Sequence, residues 1–155
     1  MINNEVLEFL EESNKIEGVF SDEALQDSVG AWEYINTYDT MGLSNILDIH
    51  YEIMKNLDRS LARRLRGRNV RVGNRHCPDH TLVYGLLMEL LNKEEPKTEE
   101  EIKNWHIEFE RIHPFEDGNG RTGRIIMNWQ RLKNNLPLLI IHQGGEQMEY
   151  YKWFK

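Results

Sequence analysis

The chain has 155 residues, 39% hydrophobic and 29% charged, which suits one soluble globular domain with a substantial core. Its net charge of −7 argues against general binding to nucleic acid, whose phosphates would repel it. No apolar run approaches the ~20 residues of a membrane span, the start Met-Ile-Asn-Asn-Glu lacks the basic and apolar parts of a signal peptide, and the single cysteine, Cys77, fits a reducing compartment; the expected location is the cytoplasm.

Hydrophobic spacing predicts helices along most of the chain. Val6, Phe9 and Leu10 share one face of a first helix that runs toward Glu17, with Gly18 as its stop. Ser21 is placed to cap a second helix carrying Leu25, Val29, Trp32 and Ile35. A third, from about Ser44 to Leu57, has Ile46, Ile49, Ile53 and Leu57 as its stripe. Asn69-Val-Arg-Val-Gly-Asn74 alternates and then meets a Gly-Asn pair, the pattern of a short β-hairpin.

Helical spacing returns with Leu82, Leu86 and Leu90. Thr98 and Glu101 form a capping box ahead of Ile102, Trp105, Phe109 and Ile112. After a glycine-rich segment, Arg121 to Asn135 predicts another helix with Ile125, Trp129, Leu132 and Leu136 inward, stopped at Pro137. Leu138–Ile141 is a short apolar segment before Gly144-Gly145 and a last helical turn or two. The expected fold is mainly α with one short hairpin.

Charge is distributed unevenly. Residues 1–58 carry 13 acidic and 2 basic side chains, whereas residues 59–155 carry 13 acidic and 17 basic ones. Seven arginines fall between Arg59 and Arg75 with no acid among them. Either the two parts neutralise each other across a packed interface, or the second part faces phosphate.

The chemistry concentrates in His113-Pro-Phe-Glu-Asp-Gly-Asn-Gly-Arg-Thr-Gly-Arg124. A loop that ends in a helix N-terminus offers free N–H groups and the positive end of the helix dipole to an anion. Gly118 and Gly120 remove side chains that would block a phosphate from those amides, and Asn119 adds a neutral donor. Asp117 would repel phosphate unless a divalent cation lay between them, which points to magnesium. Arg121 and Arg124, three apart on a helix, emerge on roughly one side and can clamp phosphate oxygens. His113, with an ordinary pKa of about 6.5, can take a proton from an attacking hydroxyl. Phe115 anchors the loop in the core.

These residues satisfy every fixed position of His-x-Phe-x-Asp/Glu-Gly-Asn-Gly-Arg-x-x-Arg, and the chain over about residues 40–155 therefore resembles the Fic domain family. The resemblance implies a Fic-like helical domain with a β-hairpin flap. It implies transfer of AMP from ATP to a hydroxyl of a target protein, with pyrophosphate leaving. In that reading His113 is the general base, Asp117 holds Mg2+, Gly118, Asn119 and Gly120 cradle the phosphates, and Arg121 and Arg124 bind the β- and γ-phosphates. The related branch that phosphorylates its target lacks the Gly-Asn-Gly-Arg form, which favours AMP transfer here. Relatives that move UMP or phosphocholine leave the donor open. The hairpin would hold the target's segment in extended form, with Arg68, Asn69, Val70, Arg71 and Val72 as the edge; salt bridges from these arginines to the acidic N-terminal part are the alternative.

Ser13-Asn-Lys-Ile-Glu17-Gly18 resembles the family's inhibitory motif, Ser/Thr-x-x-x-Glu-Gly/Asn. By composition alone it is a charged helix end with a glycine stop. The resemblance makes about residues 5–18 an inhibitory helix whose Glu17 pairs with Arg124 and keeps the γ-phosphate out. Two alternatives stand beside a braked transferase: a de-AMPylase that uses Glu17, and a nucleotide-binding regulatory module with little turnover. The chain is expected to carry no appended targeting domain, so its target is chosen by the core surface or by a partner, and a homo-oligomer could couple to release of the helix.

Other candidates are weaker. His76-Cys-Pro-Asp-His80 has metal-ligand types but no second cluster, and its expected role is to close the hairpin, with Asp79 capping the next helix. His50 is expected in the core and His106 on the surface.

Overall fold

The structure, a computed structural model, describes residues 2–155. Helix α1 (Asn4–Ile16) starts where the Asn3 side chain accepts from Val6 N–H at 2.9 Å. It ends as the glycine requires: Gly18, at φ 71°, donates to the Lys15 carbonyl, and Val19 donates to that of Asn14. Ser21 caps α2 (Asp22–Ile35) by accepting from Ala24 N–H. The N–H of Gly42 donates to the Asn45 side chain at the start of α3 (Leu43–Met54).

The hairpin pairs β1 (Arg71–Val72) antiparallel with β2 (Arg75–His76), with Arg71 opposite His76 and Val72 opposite Arg75. Gly73, at φ 60°, makes the turn. Asp79 accepts from Thr81 N–H and opens a 3-10 turn that leads into α4 (Val83–Asn92). Helix α5 (Glu99–Ile112) begins with the Thr98/Glu101 capping box, in which each side chain accepts from the other residue's N–H at 3.1 Å.

Helix α6 (Asn119–Lys133) is the centre of the bundle. Every residue from Arg121 to Arg131 is buried, because α1, α2, α3 and α5 surround it. Its buried polar groups are matched to a neighbouring segment: Asn128 accepts from Leu139 N–H and donates to the Leu139 carbonyl, while Arg131 Nε donates to the Pro137 carbonyl at 2.8 Å. Those bonds hold the apolar segment near Leu138–Ile141 extended without a strand partner. Helix α7 (Gly145–Tyr151) and a final 3-10 turn bring Tyr150, Trp153 and Phe154 around His106.

The core joins Phe9, Trp32, Ile35, Ile46, Ile49 and Ile53 with Phe109, Phe115, Ile125 and Trp129. Phe9 meets Trp32 edge to face, which seats α1 on α2. No helix among the described residues is long and apolar enough to cross a membrane.

Four details differ from the sequence reading. Helix α3 stops at Met54, so Leu57 lies beyond it and is 43% exposed. Leu82 sits in the 3-10 turn, exposed, and the buried stripe of α4 is Val83, Leu87 and Leu90. Leu132 is exposed, and α6 ends at Lys133, before Leu136; the positive φ of Asn135 stops it ahead of Pro137. His106, expected on the surface, is fully buried.

Candidate active site

Residues 113–120 form the turn from α5 into α6, and side chains from α3 and from the base of the hairpin hold it in place. His113 caps α5 in the left-handed conformation, at φ 51°, which a non-glycine residue adopts only when its surroundings enforce it. The enforcing group is Arg66. Its buried guanidinium donates to the carbonyls of His113 (2.7 Å), Arg68 (2.9 Å), Pro78 (2.6 Å) and Ile112 (3.2 Å), and its own N–H donates to the Pro114 carbonyl. One side chain thus ties the base of the hairpin to the end of α5. It is a functional residue that the sequence reading counted only as one of seven arginines. The run contains no local signal that separates it from its neighbours.

His50 holds the other side of the turn. Its Nε2 donates to the Asp117 carbonyl at 2.8 Å, its Nδ1 accepts from Arg63 N–H at 3.0 Å, and its ring stacks on Phe115 at 3.7 Å. Burial lowers its pKa to about 4, so it stays neutral in this role. Asn119 clamps Phe115 from both directions, accepting from its N–H and donating to its carbonyl, each at 2.8 Å. Its side chain therefore serves as a strut of the turn. Gly118, at φ 85°, sits against Met54 and His50, where a Cβ would make tight contacts of 3.1–3.3 Å.

No side chain caps the N-terminus of α6. The first helical hydrogen bond there is Thr122 N–H to the Gly118 carbonyl, so the preceding amides lie at the positive end of the dipole without a helical partner. A carboxylate lies beside that end of the helix. Glu17 Oε1 lies over Gly120, where a Cβ would collide with it and would come within 2.8 Å of Arg124 Nη1.

Arg124 is 2% exposed, and α1 holds most of it. Its Nε donates to Ser13 Oγ at 2.8 Å, its Nη2 donates to the Ser13 carbonyl (3.0 Å) and to Glu17 Oε1 (2.8 Å), and its Nη1 donates to Tyr150 Oη (3.3 Å). Four of the five N–H groups of the guanidinium are thereby used. Burial works against its charge, yet Tyr150, Glu17 and Glu110 around it raise its pKa. Arg121, also buried, turns elsewhere: Nη2 reaches Met54 Sδ (3.6 Å) and Asp117 Oδ1 (3.7 Å), and Nε has no partner among the described residues. The two arginines share a helix face but not a set of partners.

His106 belongs to this network. Its Nε2 accepts from Tyr150 Oη at 2.7 Å and its Nδ1 donates to the Gly123 carbonyl at 3.2 Å. Tyr150 can then accept from Arg124, and the donors run in one direction along the chain. Burial lowers the His106 pKa to about 3 and keeps that neutral arrangement. Glu110, on the same wall, is pushed up to about 7 by burial, and one of its oxygens has no partner among the described residues.

Two clefts meet at His113. One, of ≈ 810 Å³, is walled by Glu17, Gly120 and Arg124 on one side and by Arg75, Tyr151 and Phe154 on others. The second, of ≈ 530 Å³, runs along Arg68–Arg71, His76 and Glu116. Val72, grouped in sequence with the target edge, lines the first cleft instead. Asn69 closes the hairpin base by accepting from His80 N–H and donating to Asp79. The His113 pKa is lowered by burial and then by the charges of Arg66 and Arg75, and the nearby Glu110 backbone works the other way. The imidazole is thus neutral at neutral pH and available as a base.

Asp117 is exposed at the mouth of the turn; its Oδ1 accepts from Gly118 N–H at 2.8 Å. No group of three or more acidic, His or Cys side chains gathers to hold a metal among the described residues. A lone accessible carboxylate beside an anion site suits an ion shared with a bound phosphate, which is how Mg2+ is commonly held.

Comparison with known proteins agrees with this geometry. Residues 40–130 match the model of the Fic/DOC family. A protein adenylyltransferase Fic from Aedes aegypti is 30% identical over 128 residues, covering 78% of this chain and 25% of the mosquito protein. Protein adenylyltransferase fic-1 of Caenorhabditis elegans is 30% identical over 120 residues, 74% of this chain and 23% of the relative. Among solved structures, a Fic-1 fragment from C. elegans superposes with a TM-score of 0.79 at 21% identity, over 98% of this chain and 55% of that one. A Fic domain-containing signalling protein from Bacteroides thetaiotaomicron gives 0.75 at 19% identity, over 94% and 69%. The structural likenesses show the fold, and the chain spans about a quarter of the length of the curated relatives it matches. A family model that covers residues 40–130, on a chain that keeps the whole His113–Arg124 motif, means that this protein belongs to the Fic/DOC family.

Proposed function

We propose that this chain transfers AMP from ATP to a hydroxyl side chain of a protein, and that α1 holds it largely off. The observation that carries the proposal is the position of His113 where two clefts meet. The larger has an uncapped helix N-terminus and Arg124 for phosphates, and the aromatic faces of Tyr151 and Phe154 for a base. The smaller follows the hairpin, where an extended segment can lie.

In the proposed reaction the acceptor hydroxyl gives its proton to His113. Its oxygen forms a bond to the α-phosphorus as the bond from that phosphorus to the bridging oxygen of the β-phosphate breaks, and pyrophosphate leaves. The first amides of α6 stabilise the charge that moves onto the phosphate oxygens. Asp117 would hold Mg2+, which neutralises phosphate charge when bound. The names of the mosquito and nematode relatives, both protein adenylyltransferases, favour AMP over other transferred groups.

Glu17 acts as the brake because it imitates the ligand. Its carboxylate rests on the phosphate position above Gly120 and occupies Arg124. A carboxylate at the C-cap of α1 is unfavourable against its own helix dipole, and here the N-terminus of α6 and Arg124 offset that cost. The whole unit is one domain, with residues 5–18 as the brake and about 40–155 as the core. The buried, unpaired Cys77 suits the cytoplasm.

The same geometry favours one second reading. Glu17 lines the same cleft as His113 and is 37% exposed, so it can also activate water to remove AMP from a modified target. Intact mass spectrometry after incubation with ATP and Mg2+ tests the first reading: AMP adducts are expected on Glu17→Gly and not on wild type or on His113→Ala/Glu17→Gly. Label from α-labelled ATP separates turnover from mere binding. A modified target that loses AMP only when Glu17 is intact would move the assignment to the second reading.

A further inference from the structure

We propose that the groove beside the hairpin selects an acceptor segment flanked by acidic residues, with Arg71 and Arg68 meeting the carboxylates while the hydroxyl faces His113. The inference rests on the reading that the chain modifies a protein hydroxyl, and adds the chemistry of the segment.

The structure divides the arginines between Arg59 and Arg75 by what they touch. Arg66 is buried on backbone carbonyls, Arg63 pairs with Asp48 at 2.8 Å, Arg59 donates to Tyr51 Oη, and Arg75 faces the nucleotide cleft. Among the described residues, Arg63 is the one arginine of this run that pairs with a carboxylate of the acidic N-terminal part. Arg71 is exposed and pairs with no carboxylate among the described residues, on a protein whose 26 acidic side chains outnumber its 19 basic ones. Arg68 holds Glu116 at 3.1 Å, but both belong to the groove and Arg68 is 68% exposed, so that pair is weak and exchangeable.

The backbone at Arg71 is also open. Cys77 N–H donates to the Val70 carbonyl, so the next pair along the ladder, Arg71 with His76, is a non-hydrogen-bonded one. Arg71 accordingly turns its own N–H and C=O to the free edge of β1. A segment pairing there lies in the groove that Arg71, Arg68, His76 and His113 line together. Glu116 repels carboxylates at its own position and steers them toward Arg71. A long polyanion would be repelled by the −7 charge of the chain as a whole, whereas a short acidic segment feels mainly the local field.

Fluorescence anisotropy on the full chain tests this at about 50 mM salt, where exposed charges act most strongly. The probes are peptides with one central serine flanked by Asp/Glu, by Gly/Ser or by Lys, and a single-stranded oligonucleotide of the same charge as the acidic peptide. The acidic peptide is expected to bind about fivefold tighter than the neutral one, as two exposed ion pairs allow. Arg71→Gln should cut the preference to about twofold, the share of the remaining Arg68 pair, and Arg71→Glu should abolish it. Equal binding of the three peptides, an unchanged preference in both variants, or oligonucleotide binding as tight as the acidic peptide would overturn the proposal. The same peptides with α-labelled ATP and Glu17→Gly protein separate the two layers: peptide preference without label transfer overturns the AMP-transfer reading and leaves the groove's selectivity standing.

Discussion

Glu17 and Arg124 meet at 2.8 Å directly above Gly120, so the carboxylate that engages the guanidinium also covers the N-terminus of α6. One contact fills two parts of the proposed phosphate site. Glu17→Gly clears both, while α1 stays seated through Val6, Phe9 and Leu10. A charge-assisted hydrogen bond from Arg124 to phosphate is worth about 1.5–3 kcal/mol, so labelling by α-labelled ATP should rise on the order of 10–100-fold. Glu17→Gln, which keeps the shape and loses the charge, should fall between. Equal rates in all three proteins would remove the brake from the account.

His113 sets a prediction in pH. Burial first, and then Arg66 and Arg75, hold its pKa below the ordinary imidazole value. Protonation removes the base, so the acid limb of kcat/KM should have its midpoint below the ordinary value of about 6.5. Arg75→Gln takes away one of the opposing charges and should move that midpoint up. A limb that stays in place in the variant would mean that Arg75 does not face the working imidazole.

Arg66 is a positioning residue: it acts on His113 only through the backbone. A lysine there has three donors on one nitrogen and cannot span carbonyls as far apart as those of Pro78 and His113. Arg66→Lys should cost about 2–4 kcal/mol of stability, because buried carbonyls lose their partners. It should also lower kcat/KM for protein labelling more than it weakens ATP binding, since the hairpin shifts while the floor of the nucleotide cleft stays. A thermal melt and a KM-against-kcat comparison check the two parts.

What the sequence revealed and what it hid follow one physical line. The His113–Arg124 motif was legible because its glycines and charges answer local demands, such as a positive φ at Gly118 and an uncapped helix start. The caps at Ser21, Thr98 and Gly18 were legible for the same reason. Arg66, His50 and His106 act through contacts 44 or more residues away in sequence, to the carbonyls of His113 and Asp117 and to Tyr150. No periodicity or spacing marks such partners. His106 shows the cost plainly: it lies off the apolar stripe of α5, yet α7 and the final turn cover it. Asn119 carries a role the sequence did not show, since its side chain braces the turn by clamping Phe115.

His142 ties α1, the proposed brake, to the far end of the chain. Its Nε2 meets Glu8 of α1 at 2.8 Å and its Nδ1 meets Glu146 of α7 at 2.6 Å. Both nitrogens can donate to carboxylates only in the imidazolium form. The hydrogen bond to Glu8 first, then that to Glu146, with Glu12 nearby, raises its pKa above the ordinary value. A histidine whose folded-state pKa is raised adds stability that is complete below the unfolded value of about 6.5 and is lost as pH rises through the higher folded value. Wild type should therefore melt above His142→Gln at acidic pH, and the gap should close as the medium becomes alkaline. Added salt should shrink it too, because the group is at the surface. Hydrogen exchange in α1 should follow the same course, faster in His142→Gln at low pH and equal in the two proteins at high pH. A gap that persists unchanged to alkaline pH would assign the effect to packing and not to charge.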